Sequence, residues 1–245
     1  ALVQGAVEVE EVPKGIVHQD IFTIDDCFRS LNGLPMPVFT LLAQAALLAR
    51  APAPYPFAVG ETLHYEATLA TFPIGTATVT VTRMAQERGK EAFVFSATGE
   101  GGPPGIGARY EMTSWVGTGP FNSLRFNRRL EQSGKVVEER YQIIPDSSRY
   151  RVEGKPQNWA APDNPLDELA FLYFLRTMPM KVGGTYRISR YFKTGYNPID
   201  VRVVARDTAR LPSGASVPVL VVEVTSRGTT VGVRFTDDAR RLPVQ

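Results

Sequence analysis

From residue 55 onward apolar and polar side chains alternate with a period of two. Leu63, Tyr65, Ala67 and Leu69 alternate with Thr62, His64, Glu66 and Thr68. After the turn signal Phe72-Pro73-Ile74-Gly75, Ala77, Val79 and Val81 alternate with Thr76, Thr78, Thr80 and Thr82. This spacing predicts two half-buried strands joined by a tight turn. The threonine-rich face suits a pleated surface, where β-branched side chains pack well. Similar runs predict strands over 92–98, 110–116, 124–131, 136–144 and 150–153, and, after one helix, over 185–192, 199–207, 217–226 and 229–236. The result is about eleven strands at meander spacing. No β-α alternation is present, which argues against a parallel doubly wound sheet.

The helix is predicted over 165–178. Asn164 is placed to cap it, Pro165 suits the first helical position, and Asp167 and Glu168 favour the positive end of the helix dipole. Pro179 ends it. Its body, Leu169-Ala170-Phe171-Leu172-Tyr173-Phe174-Leu175, is apolar on all sides, as expected of a helix buried on more than one face. The expected fold is therefore mainly β: a curved antiparallel sheet, half-barrel or open barrel, wrapped around one buried helix. Curvature reduces the exposed edge of a long sheet.

Residues 38–49 carry no charge, and only Thr40 and Gln44 are polar. A run of about 12 residues is too short to span a bilayer, which needs roughly 20. It has the length of a signal-peptide apolar region, with Met36 before it and Ala49, Ala51 and Ala53 after it. Arg50, Pro52 and Pro54 run against cleavage there, and a short amphipathic helix docked on the domain is the competing reading. Three segments are thus expected: an upstream or leader extension over 1–35, a signal-peptide-like segment over 36–53, and a single β-rich domain over 54–245. The sequence opens on Ala1, as a fragment or a processed product would, and closes within what reads as a strand at 240–245. A periplasmic or secreted monomer without a transmembrane helix is expected.

Composition narrows the chemistry. The 245 residues contain one cysteine and two histidines, which excludes a disulfide within the chain and a Cys/His zinc site. Gly and Pro make up about one residue in six, in keeping with many turns. Residues 1–54 hold six acids and three bases, and the remainder holds 24 bases and 19 acids. Those bases are spread along strands rather than clustered with aromatics, so no nucleic-acid stripe is formed.

Candidate chemistry is sparse. His64 and Glu66 are two apart on one strand and point the same way. Such a pair can serve as a general base, and a half-exposed strand pair is the preferred reading. His18 carries no signal. No nucleophile-elbow motif is present, and Cys27 has no histidine in a recognisable frame. The glycine-rich stretch over 99–107 lacks the Lys-Ser/Thr of a phosphate loop and reads as a hairpin loop able to act as a lid. Asp163, Asp167 and Glu168 read as helix-capping residues, and Asp237-Asp238 as a turn. Arg125, Arg128, Arg129, Arg140, Arg149 and Arg151 are expected to share one sheet face, either solvated or facing anionic head groups or an acidic partner. No catalytic residue, cofactor or metal ligand is assigned, and no enzymatic activity is expected.

Phe57-Ala58-Val59-Gly60-Glu61 with Leu63 and Tyr65, followed by Ile74-Gly75-Thr76-Ala77, resembles the opening of a bacterial family, domain of unknown function 3108. Asp167-Glu168-Leu169 with Phe171 and Arg176, Val182-Gly183-Gly184, and Asp237-Asp238-Ala239-Arg240-Arg241-Leu242-Pro243 extend the resemblance over about residues 55–245. The resemblance implies a secreted envelope protein with a curved antiparallel sheet, similar in shape to periplasmic lipoprotein carriers that hold acyl chains in a half-barrel. A groove beside the helix lined by Tyr65, Phe95, Tyr110, Trp115, Phe171 and Phe174 would receive a hydrophobic or acyl-chain ligand. The alternative is a structural or interaction protein of the envelope whose interior those aromatics fill.

Overall fold

The alternating pattern folds into two antiparallel meanders. The computed structural model describes residues 3–10, 55–69, 72–101 and 107–244. Cys27, His18, the signal-peptide-like segment over 36–53 and residues 102–106 lie outside them.

The larger sheet has nine strands in sequence order: β1 Val3–Glu10, β2 Thr62–Leu69, β3 Phe72–Glu87, β4 Lys90–Gly101, β5 Ala108–Gly117, β6 Ser123–Gln132, β7 Lys135–Ile144, β8 Arg149–Val152 and β9 Asn158–Ala160. The smaller sheet has four: β10 Thr185–Ile188, β11 Ile199–Arg210, β12 Ser216–Ser226 and β13 Thr229–Thr236. Helix α1, Glu168–Thr177, lies between them in the chain. Among the described residues the mainly β, antiparallel, one-helix reading holds, and the larger sheet does not close on itself. The single run of about eleven strands is corrected to two sheets. A period of two marks strands but says nothing of where a meander stops pairing. Here it stops at the helix, which separates β9 from β10 by more residues than a hairpin turn spans.

Four local expectations are corrected. The helix is capped by Asp167, not Asn164. The Asp167 Oδ1 accepts hydrogen bonds from the N–H groups of Leu169 and Ala170, at 3.0 Å each. Pro165 and Leu166 precede the helix, and Leu166 instead bridges to Tyr191. Gly99–Gly101 belong to β4 rather than to a loop. Residues 189–192 leave the sheet after β10, because Phe192 is buried against Phe126, Tyr141 and Tyr150. The last residues, expected as a strand, form a turn and one bridge, Phe235 to Pro243. There Asp238 accepts from the Arg240 and Arg241 N–H groups, as the turn reading required.

Residues opposite one another in register project to one face, so the face that carries α1 can be read as rows. Leu63, Val79, Ala97, Met112, Arg128 and Glu139 form one row across β2–β7. Val81, Phe95, Ser114, Phe126, Tyr141 and Val152 form the next, nearer the helix. Tyr65, Ala77, Gly99, Tyr110, Leu130 and Val137 form the row on the far side. The two sheets meet where Leu63 packs with Ala209, Val219, Leu242 and Val244. Each of the larger side chains, Leu63, Val219, Leu242 and Val244, contributes roughly 1.5–3 kcal/mol on burial.

Candidate functional site

Beside α1 the helix-bearing face is filled. Phe95 is fully buried, and its ring stacks on that of Tyr173 at 4.0 Å between centroids. Phe57 closes the cluster with edge contacts to Phe93, Phe95 and Tyr173. Aromatic pairs of this kind add roughly 0.5–1.5 kcal/mol each beyond their buried area. Phe171 is buried in the same helix. The space beside the helix is therefore occupied by the protein's own rings.

Two polar anchors fasten the helix. At its start, Asp167 is fully buried, and Ser114 donates to its Oδ2 at 2.6 Å. Burial pushes its carboxyl up to about 7, against the pull of the Ser114, Ala170 and Ser123 hydrogen bonds. At its end, the buried Arg176 pairs with Glu61 and donates to the carbonyls of Pro56 and Arg240. Three of the sequence motifs thus converge on one structural clasp.

Next to the Asp167 end lies a polar cluster that no spacing pattern announced. Arg128 pairs with Glu139 and lies 3.6 Å from Glu168. Tyr191 donates to Glu168 at 2.7 Å, and Lys193 donates to the Tyr141 hydroxyl at 2.8 Å. Burial and the nearby Arg128 charge hold the Lys193 amine below its usual range. Burial, reinforced by Glu139, pushes the Tyr141 hydroxyl up. Lys193 sits in an irregular stretch without a motif, so only the fold brings it to β7.

The six expected ligand contacts do not share one groove. Phe95 and Phe171 are core. Phe174 is half-buried with the Arg190 guanidinium 4.6 Å over its ring. Tyr65 and Tyr110 stand in one row on either side of Ala77 and Gly99. The Tyr65 hydroxyl donates to the Pro243 carbonyl at 3.0 Å, and the Tyr110 ring lies over Gly99, where a Cβ would fall 2.4 Å from it. Trp115 is on the opposite face, with Arg125 over its ring at 4.7 Å. The part of the helix-bearing face that stays open and apolar lies beyond Tyr110: Leu130 and Val137 are 41% and 53% exposed.

The opposite face is mostly polar, with Trp115 and the exposed Val136 on it. His64 and Glu66 do project there together, and the His64 ring nitrogen Nδ1 lies 3.1 Å from the Thr78 hydroxyl. A shallow groove of about 280 Å³ runs between Thr76, Glu100 and Arg109 on one side and Thr78, Thr98 and Glu111 on the other. Of the six arginines expected on one face, Arg125, Arg129, Arg140, Arg149 and Arg151 share it, and Arg128 is on the helix-bearing face. Among the described residues no group of three or more His, Cys, Asp or Glu side chains could hold a metal ion, and no helix is long and apolar enough to cross a membrane.

A family model, described as a protein of unknown function, DUF3108, matches residues 64–245. The chain belongs to the DUF3108 family. The match takes in the helix, Arg176 and the terminal Asp-Asp turn, while Phe57–Glu61 lies just before it. No curated protein and no solved structure matches this DUF3108 chain.

Proposed function

We propose that this DUF3108 protein is a non-enzymatic binding module of the bacterial envelope that holds an apolar or acyl-chain ligand. The ligand lies against the row of Tyr110, Leu130 and Val137, with Met112 beside it, rather than in the filled space next to α1. One observation carries this reading: the helix-bearing face continues past the packed core as an apolar surface that leaves Leu130 and Val137 largely exposed. Export to the periplasm rests on the apolar run over 38–49 and on the family resemblance, and belongs to the same proposal. The competing reading is a structural envelope protein. The closure of the helix side by Phe57, Phe95 and Tyr173 favours it.

The test is native mass spectrometry of the full chain after incubation with a fatty acid and, separately, a phospholipid, followed by the Leu130→Lys/Val137→Lys variant. Uptake by the wild type and its loss in the folded variant would support the binding module. A clean apo mass for the wild type would move the reading to the structural protein.

A further inference from the structure

We propose that the sheet face opposite the helix docks onto an anionic phospholipid surface through Arg125, Arg149 and Arg151. This goes beyond the ligand reading and uses the other face of the protein.

Trp115, Arg125, Gln142 and Arg151 stand opposite one another in register across β5–β8, and Arg149 is two residues from Arg151 on the same face. With neighbouring strands about 4.8 Å apart, Arg125 and Arg151 flank Gln142 at about 10 Å from each other. Arg83, in the same row as Trp115, is likewise exposed and has no carboxylate within ion-pair distance among the described residues, whereas the remaining arginines of this face are neutralised, Arg109 by Glu100. Arg129 pairs with Glu111 and Glu131, and Arg140 with Glu138 and Glu153. Arg125, Arg149 and Arg151 have no carboxylate within ion-pair distance among the described residues. Arg151 is instead held by the Gln142 side-chain oxygen at 2.9 Å, and Arg125 lies over the Trp115 ring. The Arg125 and Arg151 guanidinium groups are thus held on a sheet surface, with the exposed Arg149 beside them. A planar array of phosphates complements that arrangement. The adjoining indole, half-buried, belongs to the residue type enriched at the membrane interface.

The experiment is co-sedimentation of the full chain with vesicles of phosphatidylglycerol and phosphatidylcholine, and with vesicles of phosphatidylcholine alone, across a salt series. The variant is Arg125→Gln/Arg149→Gln/Arg151→Gln, and Arg129→Gln/Arg140→Gln is the same-face control. Each basic side chain at an anionic surface is worth roughly a fivefold gain in partitioning. The triple variant should therefore bind roughly a hundredfold more weakly, the control should change little, and salt should weaken wild-type binding. If the triple variant does not fold, the Trp159→Phe protein provides a second reading: brominated lipid should quench Trp115 only in anionic vesicles. Equal binding to both vesicle types, an unchanged triple variant, or capture of soluble polyglutamate without vesicle association would each overturn the proposal.

Discussion

The Arg176 guanidinium, buried at the end of helix α1, grips the Glu61 carboxylate 115 residues earlier in the chain, with Nη2 2.9 Å from Oε2. Its remaining donors reach the carbonyls of Pro56 and Arg240, and its planar charge lies over the rings of Phe57 and Tyr173. One side chain thereby joins the helix, the approach to β2 and the terminal turn.

Breaking this pair should be costly. Arg176→Met leaves Glu61 and two carbonyls without their donor, a loss of roughly 3–5 kcal/mol. For a protein of this size the melting temperature should fall by roughly 10 °C. Adding Glu61→Leu should recover part of the loss, because no buried charge then stays unpaired. Urea unfolding of the two single variants and the double variant checks this. Additive losses would refute the coupling.

Asp167 sets a pH dependence of definite sign. Its carboxyl titrates near 7 in the folded protein against an ordinary value of 3.8, so the native state binds the proton more tightly than the unfolded chain. The stability this group provides is fully present below about pH 4 and declines as pH rises through 7, by a few kcal/mol. Asp167→Asn keeps an oxygen for the helix cap and removes the titration. The stability difference between variant and wild type, followed by denaturant unfolding from pH 4 to 8, should move steadily in the variant's favour. A flat difference would show that the carboxylate is held ionised by its hydrogen bonds.

Two glycines of β3 and β4 should respond differently to a methyl group. At Gly99 a Cβ meets the Tyr110 ring, whereas at Gly75 it meets the backbone of Glu100 and Gly101 at 2.5–2.8 Å. Gly99→Ala should destabilise the protein, and Tyr110→Ala should relieve the clash. Gly75→Ala should destabilise it with no single side-chain change able to rescue it. Thermal melting of Gly99→Ala, Tyr110→Ala, Gly99→Ala/Tyr110→Ala and Gly75→Ala distinguishes the two cases.

Lys193 should react before the other described lysines. Its amine is held below the usual lysine range by burial and by Arg128, so a larger fraction is neutral at pH 8. Limited acylation read by peptide mass spectrometry should label Lys193 at lower pH than Lys90, Lys135, Lys155 or Lys181. Arg128→Gln should move its labelling to higher pH. Uniform labelling would contradict this.

Most of the strands were legible because each has one wet and one dry face, which writes a period of two into residues such as Thr76 to Thr82. Strand β9, three residues long, left no period to read. The helix cap was misplaced by three residues because Asn164 and Asp167 are equally good capping types. The choice fell to Ser114 and Ser123, which come from β5 and β6 to hold Asp167. Size and apolarity single out the expected ligand contacts, and these do not tell a core ring such as Phe95 from a half-buried ring on the other face such as Trp115. Neighbours on other strands decide that.

By itself the sequence determined the mainly β, antiparallel class, the single helix and the family, because these rest on local periodicity and on short motifs in a fixed order. The division into two sheets, the convergence of Glu61, Arg176 and the terminal turn, and the Lys193–Tyr141 and Arg128–Glu139 contacts were decided only by the tertiary structure. So was the separation of neutralised from unpaired arginines on one face. These depend on register and on contacts between residues far apart in the chain, and a local pattern carries no record of which distant side chain will fill a buried space or answer a charge.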